Sequence, residues 1–290
     1  MEVLLTGATG FIGSYISDKY AIGKINTLSP TIKINRTCGS NAFLISELKN
    51  NDVVLHCAGL AHGGHTQADL DNVNHLGTLE LASAAEKAGV RRFIFLSSVS
   101  VHGLISDIYP INEASEKNSN ISPSKFNAEQ ALLRLSKESE MEITIIRPVL
   151  VYGKGAPANM GLLIKLASYF PFTPFGLLRN KRSYISISNL CDFISLCISH
   201  PKAGNQEFLI SDDYDVSTKK LINLIASGRS REIFHIPVPI PLVKLIGFVI
   251  GRSKQFEQLT GSLQVDISKA KNILGWSPIE TMEQAMGKLK

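Results

Sequence analysis

Thr6-Gly7-Ala8-Thr9-Gly10-Phe11-Ile12-Gly13 comes directly after a short apolar run at 2–6 and opens a helical pattern at 11–20. The glycine spacing is GxxGxxG. Gly7 allows a tight turn off a strand, and Gly10 lets backbone N–H groups approach a pyrophosphate at the helix N-terminus. Gly13 lets that helix lie close on the sheet, while Phe11 and Ile12 offer the first helical N–H groups. A lone glycine triplet can be a structural turn. The strand before it and the helix after it point to a nucleotide. The acidic residue expected about 20 positions on, to hold a ribose 2′-hydroxyl, is missing. The next strand pattern, 24–28, ends in Ser29-Pro30 with Lys33 and Arg36 nearby. These residues suit a 2′-phosphate as well as they suit a solvated turn, so NAD and NADP both stay open.

Outward from this motif, short apolar runs recur at 52–57, 92–97 and 142–147, with helical patterns at 42–49, 70–88 and 124–140. Fully apolar short strands alternating with helices specify a parallel sheet covered on both faces, a doubly wound, Rossmann-like α/β domain. Gly89 fits the left-handed position that closes the 70–88 helix. After about residue 155 the alternation loosens. Pro157, Pro171 and Pro174 punctuate short helices and isolated strands at 183–187, 207–210 and 232–236. We expect a dinucleotide-binding domain over 1–155 and a smaller, irregular substrate lobe over 156–290 that is not independent. The interface between the two is the natural ligand cleft.

The 290 residues are 44% hydrophobic and 19% charged, enough for a sizeable core and too apolar for disorder. The net charge of +5 is spread along the chain, with no basic arm for nucleic acid. Cys38, Cys57, Cys191 and Cys197 show no paired or CxxC spacing, so reduced thiols in a cytosol are expected rather than a disulfide scaffold. No signal-peptide pattern stands at the start. The most apolar stretch, 233–250, is broken by His235, Lys244 and three prolines, and reads as a strand, a turn and an amphipathic helix from Leu242. A cytoplasmic protein without membrane contact is expected.

Eight segments, in order over nearly the whole length, carry a resemblance: TGATGFIG at 6–13, HCAGLAHG at 56–63, NVNHLGT at 72–78, FLSSVSVHG at 95–103, SKFNAEQAL at 124–132, RPVLVYGKG at 147–155, RSYISISNL at 182–190 and SLQVDISKAKNILGW at 262–276. The chain resembles the extended short-chain dehydrogenase/reductases, and among them the bacterial nucleotide-sugar 4-epimerases and 4-ketoreductases of the UDP-N-acetylhexosamine type. The resemblance implies a bound NAD (or NADP), a UDP-sugar substrate and hydride transfer at the sugar C4. A Tyr-x-x-x-Lys pair on a helix and a nearby serine then handle the hydroxyl proton. Ser98 falls on the catalytic and substrate-contacting serine, and Lys125 on the lysine that also binds the nicotinamide ribose. Ala58 and Gly59 match the loop beneath the adenosine, and Asn74 the asparagine whose helix borders the cofactor. Asn159 falls where relatives contact the nucleotide diphosphate. Arg182 and Tyr184 match an Arg-x-Tyr-Ile pattern whose arginine holds that diphosphate, a role suited to a guanidinium fork. Homodimerisation through the 70–88 and 124–140 helices is also implied.

Plainer readings stand beside these. Ser98 can be a turn former at a strand end, and Arg182 a surface arginine beside Lys181. His56 and His62-x-x-His65 have ligand-like spacing but no carboxylates at metal distance, so no metal site is expected. His102, where relatives carry tyrosine, is expected to pack.

One departure matters. Four residues before Lys125 stands Ile121 and not tyrosine. Either the tyrosine was replaced in place, or three residues were lost from a Ser-Pro-Tyr-Gly-x-Ser-Lys pattern, leaving Ser122-Pro123-Ser124-Lys125. The local sequence makes a clean helix start, with Ser122 as N-cap, Pro123 at the first helical position and Ile121 stapled against Phe126. Two functions follow: an enzyme on nucleotide sugars that turns over slowly, or a binding or partner protein that keeps the dinucleotide site.

Overall fold

The computed structural model describes residues 1–19, 24–28, 40–60, 64–106 and 108–289. Ser29, Pro30, Lys33, Arg36, Cys38 and His62 lie outside the described residues, so the basic cluster weighed for a 2′-phosphate is not placed.

A six-stranded, wholly parallel sheet organises the chain, built from β1 (Glu2–Thr6), β2 (Lys24–Thr27), β3 (Val53–His56), β4 (Arg92–Leu96), β5 (Glu142–Pro148) and a later strand at Gln206–Ile210. Strand alternation explains its two covered faces. Val3, Leu5, Val53, Leu55, Ile94 and Leu96 point into one core, while Leu4, Val54, Phe93 and Phe95 point into the other. Crossovers are made by α1 (Phe11–Lys19), α2 (Ser40–Leu48), α3 (Gln67–Leu70), α4 (Thr78–Lys87) and α5 (Pro123–Glu138). β1 has β2 on one side and β3 on the other, so strand order reverses there. In doubly wound sheets a ligand crevice opens at such a switch point, outside the strands' carboxyl ends.

Three details differ from the sequence reading. The 70–88 helix is not continuous. A π-helical stretch, Asp71–Gly77, separates α3 from α4, and Gly89 with φ +81° closes the latter as expected. Ser122 occupies the N-cap of α5, but its hydroxyl accepts no bond from the helix, and Ile121 is 42% exposed. The second half of the chain contributes more than isolated strands. Beyond β6 (Leu150–Tyr152), α6 (Ala158–Tyr169), β7 (Phe172–Thr173) and β8 (Tyr184–Ser186) come α7 (Ile187–Ser199) and β9 (Gln206–Ile210). β9 pairs with β5 to complete the main sheet, and α7 packs on one of its faces. α8 (Thr218–Ser227), β10 (Phe234–His235), α9 (Ile240–Val249), α10 (Ser253–Thr260), α11 (Ser268–Leu274) and α12 (Met282–Gly287) follow. A separate core gathers around Tyr152, Met160, Tyr184, Leu221 and Met282, drawn mostly from the second half of the chain.

Candidate active site

The glycine loop lies at the switch point. Gly7 has φ +74°, and a Cβ there would fall 2.6 Å from the Ala58 backbone nitrogen, so the ends of β1 and β3 touch through bare backbone. A Cβ on Gly13 would fall 2.1 Å from the Gly7 carbonyl oxygen, which fixes α1 tightly on the loop. Gly10 is different. It is exposed, and only the Gly7 oxygen at 3.3 Å would border its Cβ. Protein packing does not demand glycine at position 10, whereas an anion approaching the N-terminus of α1 does. The side chains of Phe11 and Ile12 pack into the cores, so these residues have backbone N–H groups to offer a ligand. The loop fits a dinucleotide pyrophosphate.

Beside it runs a hydrogen-bond chain that the sequence did not announce. The Ala58 N–H donates to Thr6 Oγ1 at 3.3 Å, and Thr6 Oγ1 lies 2.7 Å from His56 Nδ1. His56 Nε2 lies 3.0 Å from Thr78 Oγ1, which donates to the Asn74 carbonyl at 2.7 Å. Since the Thr78 proton is committed, His56 carries its proton on Nε2 and accepts from Thr6 on Nδ1. Burial, aided by the Lys125 charge, pushes its pKa down to about 3. His56 is thus a neutral strut that ties β1, β3 and α4 together. Asn74 is buried, with Oδ1 accepting from the Leu60 N–H at 2.7 Å and Nδ2 donating to the Leu60 carbonyl at 2.9 Å. Nδ2 also reaches Ser124 Oγ at 3.3 Å. Asn74 therefore holds the Ala58–Gly59 loop against the start of α5.

Ser98 follows β4, and its Oγ accepts from the Ser100 N–H at 3.1 Å, leaving the hydroxyl proton free to donate. Lys125, in the first turn of α5, donates from Nζ to the carbonyls of Leu96 and Ser97 at 3.3 and 3.1 Å. The two residues expected to handle the proton are therefore brought to one strand end. Burial lowers the Lys125 pKa to about 8, against the pull of Glu129. Glu129, one turn further along α5, anchors this arrangement. It accepts from Ser97 Oγ at 2.6 Å and forms a bidentate pair with the buried Arg147 at 2.8 Å for each bond. Burial works against the Glu129 charge, but Arg147 overcomes it and its pKa is lowered. His102 Nδ1 bonds the Glu116 carbonyl and Nε2 faces Arg147, with its pKa lowered by burial first, so it packs as expected.

Helix α5 begins at Pro123, which puts Ile121 in the turn before the N-cap, with its N–H bonded to the Asn118 carbonyl. A tyrosine at position 121 would not share a helical face with Lys125.

In the second lobe Asn159 and Arg182 meet at one residue of α10. Asn159 Nδ2 donates to Gln258 Oε1 at 2.9 Å, and Arg182 Nη1 to the carbonyls of Gln258 and Gly261 at 2.6 and 3.1 Å. Arg182 is buried and not a surface arginine, and among the described residues no carboxylate lies within ion-pair distance of it. Burial lowers its pKa, with Tyr184 opposing. Tyr184 is 1% exposed, and its hydroxyl contacts Arg182 and Thr218, so it backs the guanidinium and does not reach a ligand itself.

Residues 3–211 match the model of the NAD dependent epimerase/dehydratase family. A UDP-glucose 4-epimerase of Vibrio cholerae is 39% identical, over 98% of this chain and 92% of its own length. That alignment spans 303 residues, more than this chain has, so the relative carries residues that are lacking here. An N-acetyl-alpha-D-glucosaminyl-diphospho-ditrans,octacis-undecaprenol 4-epimerase of Escherichia coli O157:H7 is 27% identical over 85% of this chain and 78% of its own. Among solved structures, a UDP-glucose 4-epimerase of Thermotoga maritima with UDP-glucose superposes with a TM-score of 0.75 at 22% identity, covering 100% of this chain and 97% of that one. With a family model matched across the whole sheet and a full-length relative at this identity, the chain belongs to the NAD dependent epimerase/dehydratase family.

Proposed function

We propose that this protein acts on a UDP-sugar, exchanging hydride at C4, as an epimerase or a 4-ketoreductase. The observation that carries the substrate is Arg182. A buried guanidinium without a carboxylate partner is costly, and a diphosphate entering beside Asn159 would supply the missing counter-charge. The names of the V. cholerae and T. maritima relatives support the same substrate class. NAD when bound accepts and returns hydride. Gly7, Gly10, Gly13 and the N–H groups of Phe11 and Ile12 would hold its pyrophosphate, the Ala58–Gly59 loop its adenosine, and Lys125 its nicotinamide ribose. Ser98 donates its free hydroxyl proton toward the sugar oxygen, and Lys125, with a pKa near 8, is charged at neutral pH beside it.

A second reading has its own observation. No phenol precedes Lys125 on α5, and a positioned acid or base contributes about 10²–10⁴-fold. The chain then binds dinucleotide and nucleotide sugar but turns over poorly, as a regulatory or partner subunit. Turnover of UDP-N-acetylglucosamine to its 4-epimer, or reduction of a 4-keto UDP-sugar, separates the two readings.

The substrate assignment is tested by Arg182→Ala. UDP affinity measured by titration calorimetry should fall roughly tenfold or more, the loss of a charge-assisted contact of about 1.5–3 kcal/mol, while NAD affinity stays unchanged. Unchanged UDP affinity would remove Arg182 from the site.

A further inference from the structure

Helix α9 is apolar throughout except for Lys244, yet it buries only Val243 and Gly247. These lie one turn apart, and a Cβ on Gly247 would fall 2.6 Å from Phe256 of α10, so a single narrow stripe seats α9 on its neighbour. The rest faces outward. Leu242, Leu245 and Ile246 are exposed, and Phe248 and Val249 reach 72% and 74%. Just upstream, the exposed ring of Phe234 lies 6.1 Å from the exposed ring of Phe172 on the paired strand β7, and Ile236 is exposed as well. Scattered surface leucines need no explanation, but a whole helix face of this kind marks an interaction site.

Charge identifies the partner. Residues 233–256 contain no Asp or Glu, while Lys244, Arg252 and Lys254 are all exposed within them; Glu232 and Glu257 stand just outside. Two copies meeting through α9 would bring these cations together, with no carboxylate of the segment to answer them. An apolar face with a basic flank instead matches the interfacial region of a bilayer bearing anionic headgroups. At ten residues α9 is about 15 Å long, half the hydrocarbon thickness. No helix among the described residues is long and apolar enough to cross a membrane. That excludes a helical span and leaves room for a helix lying in the surface.

We propose that α9 is an interfacial anchor that seats this protein on an anionic lipid surface. Its other side packs on α10, whose Gln258 holds Asn159 and Arg182, so the anchor brings the lobe that carries these residues to the membrane. The anchor does not rest on the identity of the sugar.

The test is co-sedimentation of the full-length protein with vesicles of phosphatidylcholine alone or mixed with phosphatidylglycerol. Binding is expected to the anionic vesicles and to weaken as salt rises. It should fall roughly tenfold or more both in Phe248→Ser/Val249→Ser and in Lys244→Gln/Arg252→Gln/Lys254→Gln. NAD binding and the melting temperature should stay at parent values. Should the apolar variant fail to fold, the charge variant alone decides, because its three side chains are exposed. No binding to anionic vesicles, or equal binding to both kinds, would overturn the anchor. So would a parent dimer in sedimentation equilibrium that Phe248→Ser/Val249→Ser dissociates without any vesicle binding, since α9 would then be a contact between copies.

Discussion

At the scale of single residues, the three glycines of the loop have different reasons to be glycine. Gly7 and Gly13 are fixed by contacts within the protein, and any side chain there would displace backbone. Gly10 is open on its outer side, so Gly10→Val should leave the fold nearly intact and weaken NAD binding by an order of magnitude or more, as the branched side chain occupies the space of the pyrophosphate. Equal affinity in calorimetry would mean that the pyrophosphate lies elsewhere. His56 gives a pH prediction. Its pKa falls from an ordinary 6.5 to about 3 on folding, so between these values the unfolded chain binds a proton that the folded chain refuses. Stability is lost as pH falls through this window, with a slope of up to about 1.4 kcal/mol per pH unit from this residue. Urea melts of His56→Gln between pH 7 and pH 4 should show a slope shallower by one proton. An unchanged slope would show that His56 is not buried neutral. The glycine loop was legible because a tight turn between strand and helix leaves a short, spaced signal, whereas Ser98 and Lys125 were picked out only by the resemblance of their segments to the family. The strut through His56, Thr6 and Thr78 was not legible, since its members are 22 to 72 positions apart and gain meaning only when β1, β3 and α4 pack.

At the scale of elements, α5 is the helix on which the proposed activity turns. Its Glu129–Arg147–Ser97 anchor sets the position of Lys125, and its start at Pro123 sets what can precede that lysine. Ile121 lies ahead of the N-cap, so Ile121→Tyr should leave turnover near the parent level. Inserting Tyr-Gly-Ala between Pro123 and Ser124 restores four-residue spacing from a phenol to Lys125 and should raise the rate by about 10²–10⁴-fold. The assay is UDP-N-acetylglucosamine 4-epimerisation, with 4-ketoreduction as the second substrate pair. Rescue by Ile121→Tyr would show that the turn rearranges onto the helix. High parent activity that neither change improves would place the proton on Ser98 with water. Helix α9 was legible as a helix but not as a surface. The sequence reads it as an amphipathic helix, but its only charged residue is Lys244, and only the packing shows that α10 covers one narrow stripe and leaves the apolar remainder outward. The π-helical stretch was equally hidden, because Asp71–Gly77 has ordinary helical periodicity and departs from it where Asn74 is tied to Leu60 and Ser124.

At the scale of the molecule, the second half of the chain completes the first. Sequence periodicity places a boundary near residue 155, and the parallel sheet to that point was legible from its fully apolar runs. The strand at Gln206–Ile210 was legible too, but only as an isolated one; its place as the sixth strand of the sheet was not, because more than fifty residues separate it from β5. Once placed, it carries several dependencies. Phe193, Ile194, Phe208 and Trp276 close one face of the sheet. Arg92, buried in β4, donates to the carbonyls of Cys197 and His200 at the end of α7, at 2.6 and 2.9 Å. Glu207 of β9 joins Lys117 and Arg147 in the ion network behind Lys125. A fragment of residues 1–155 would expose that sheet face, leave the Arg92 bonds to α7 unmade and present β5 as a bare edge. Each large core side chain left in water forfeits about 1.5–3 kcal/mol, and a domain has only about 5–15 kcal/mol to lose. The fragment should therefore show no cooperative melting transition and no NAD binding, although it carries the entire glycine loop, Ser98 and Lys125. A sharp transition in calorimetry with parent-like NAD affinity would show instead that the first 155 residues fold alone and that β9 merely adds to a finished sheet.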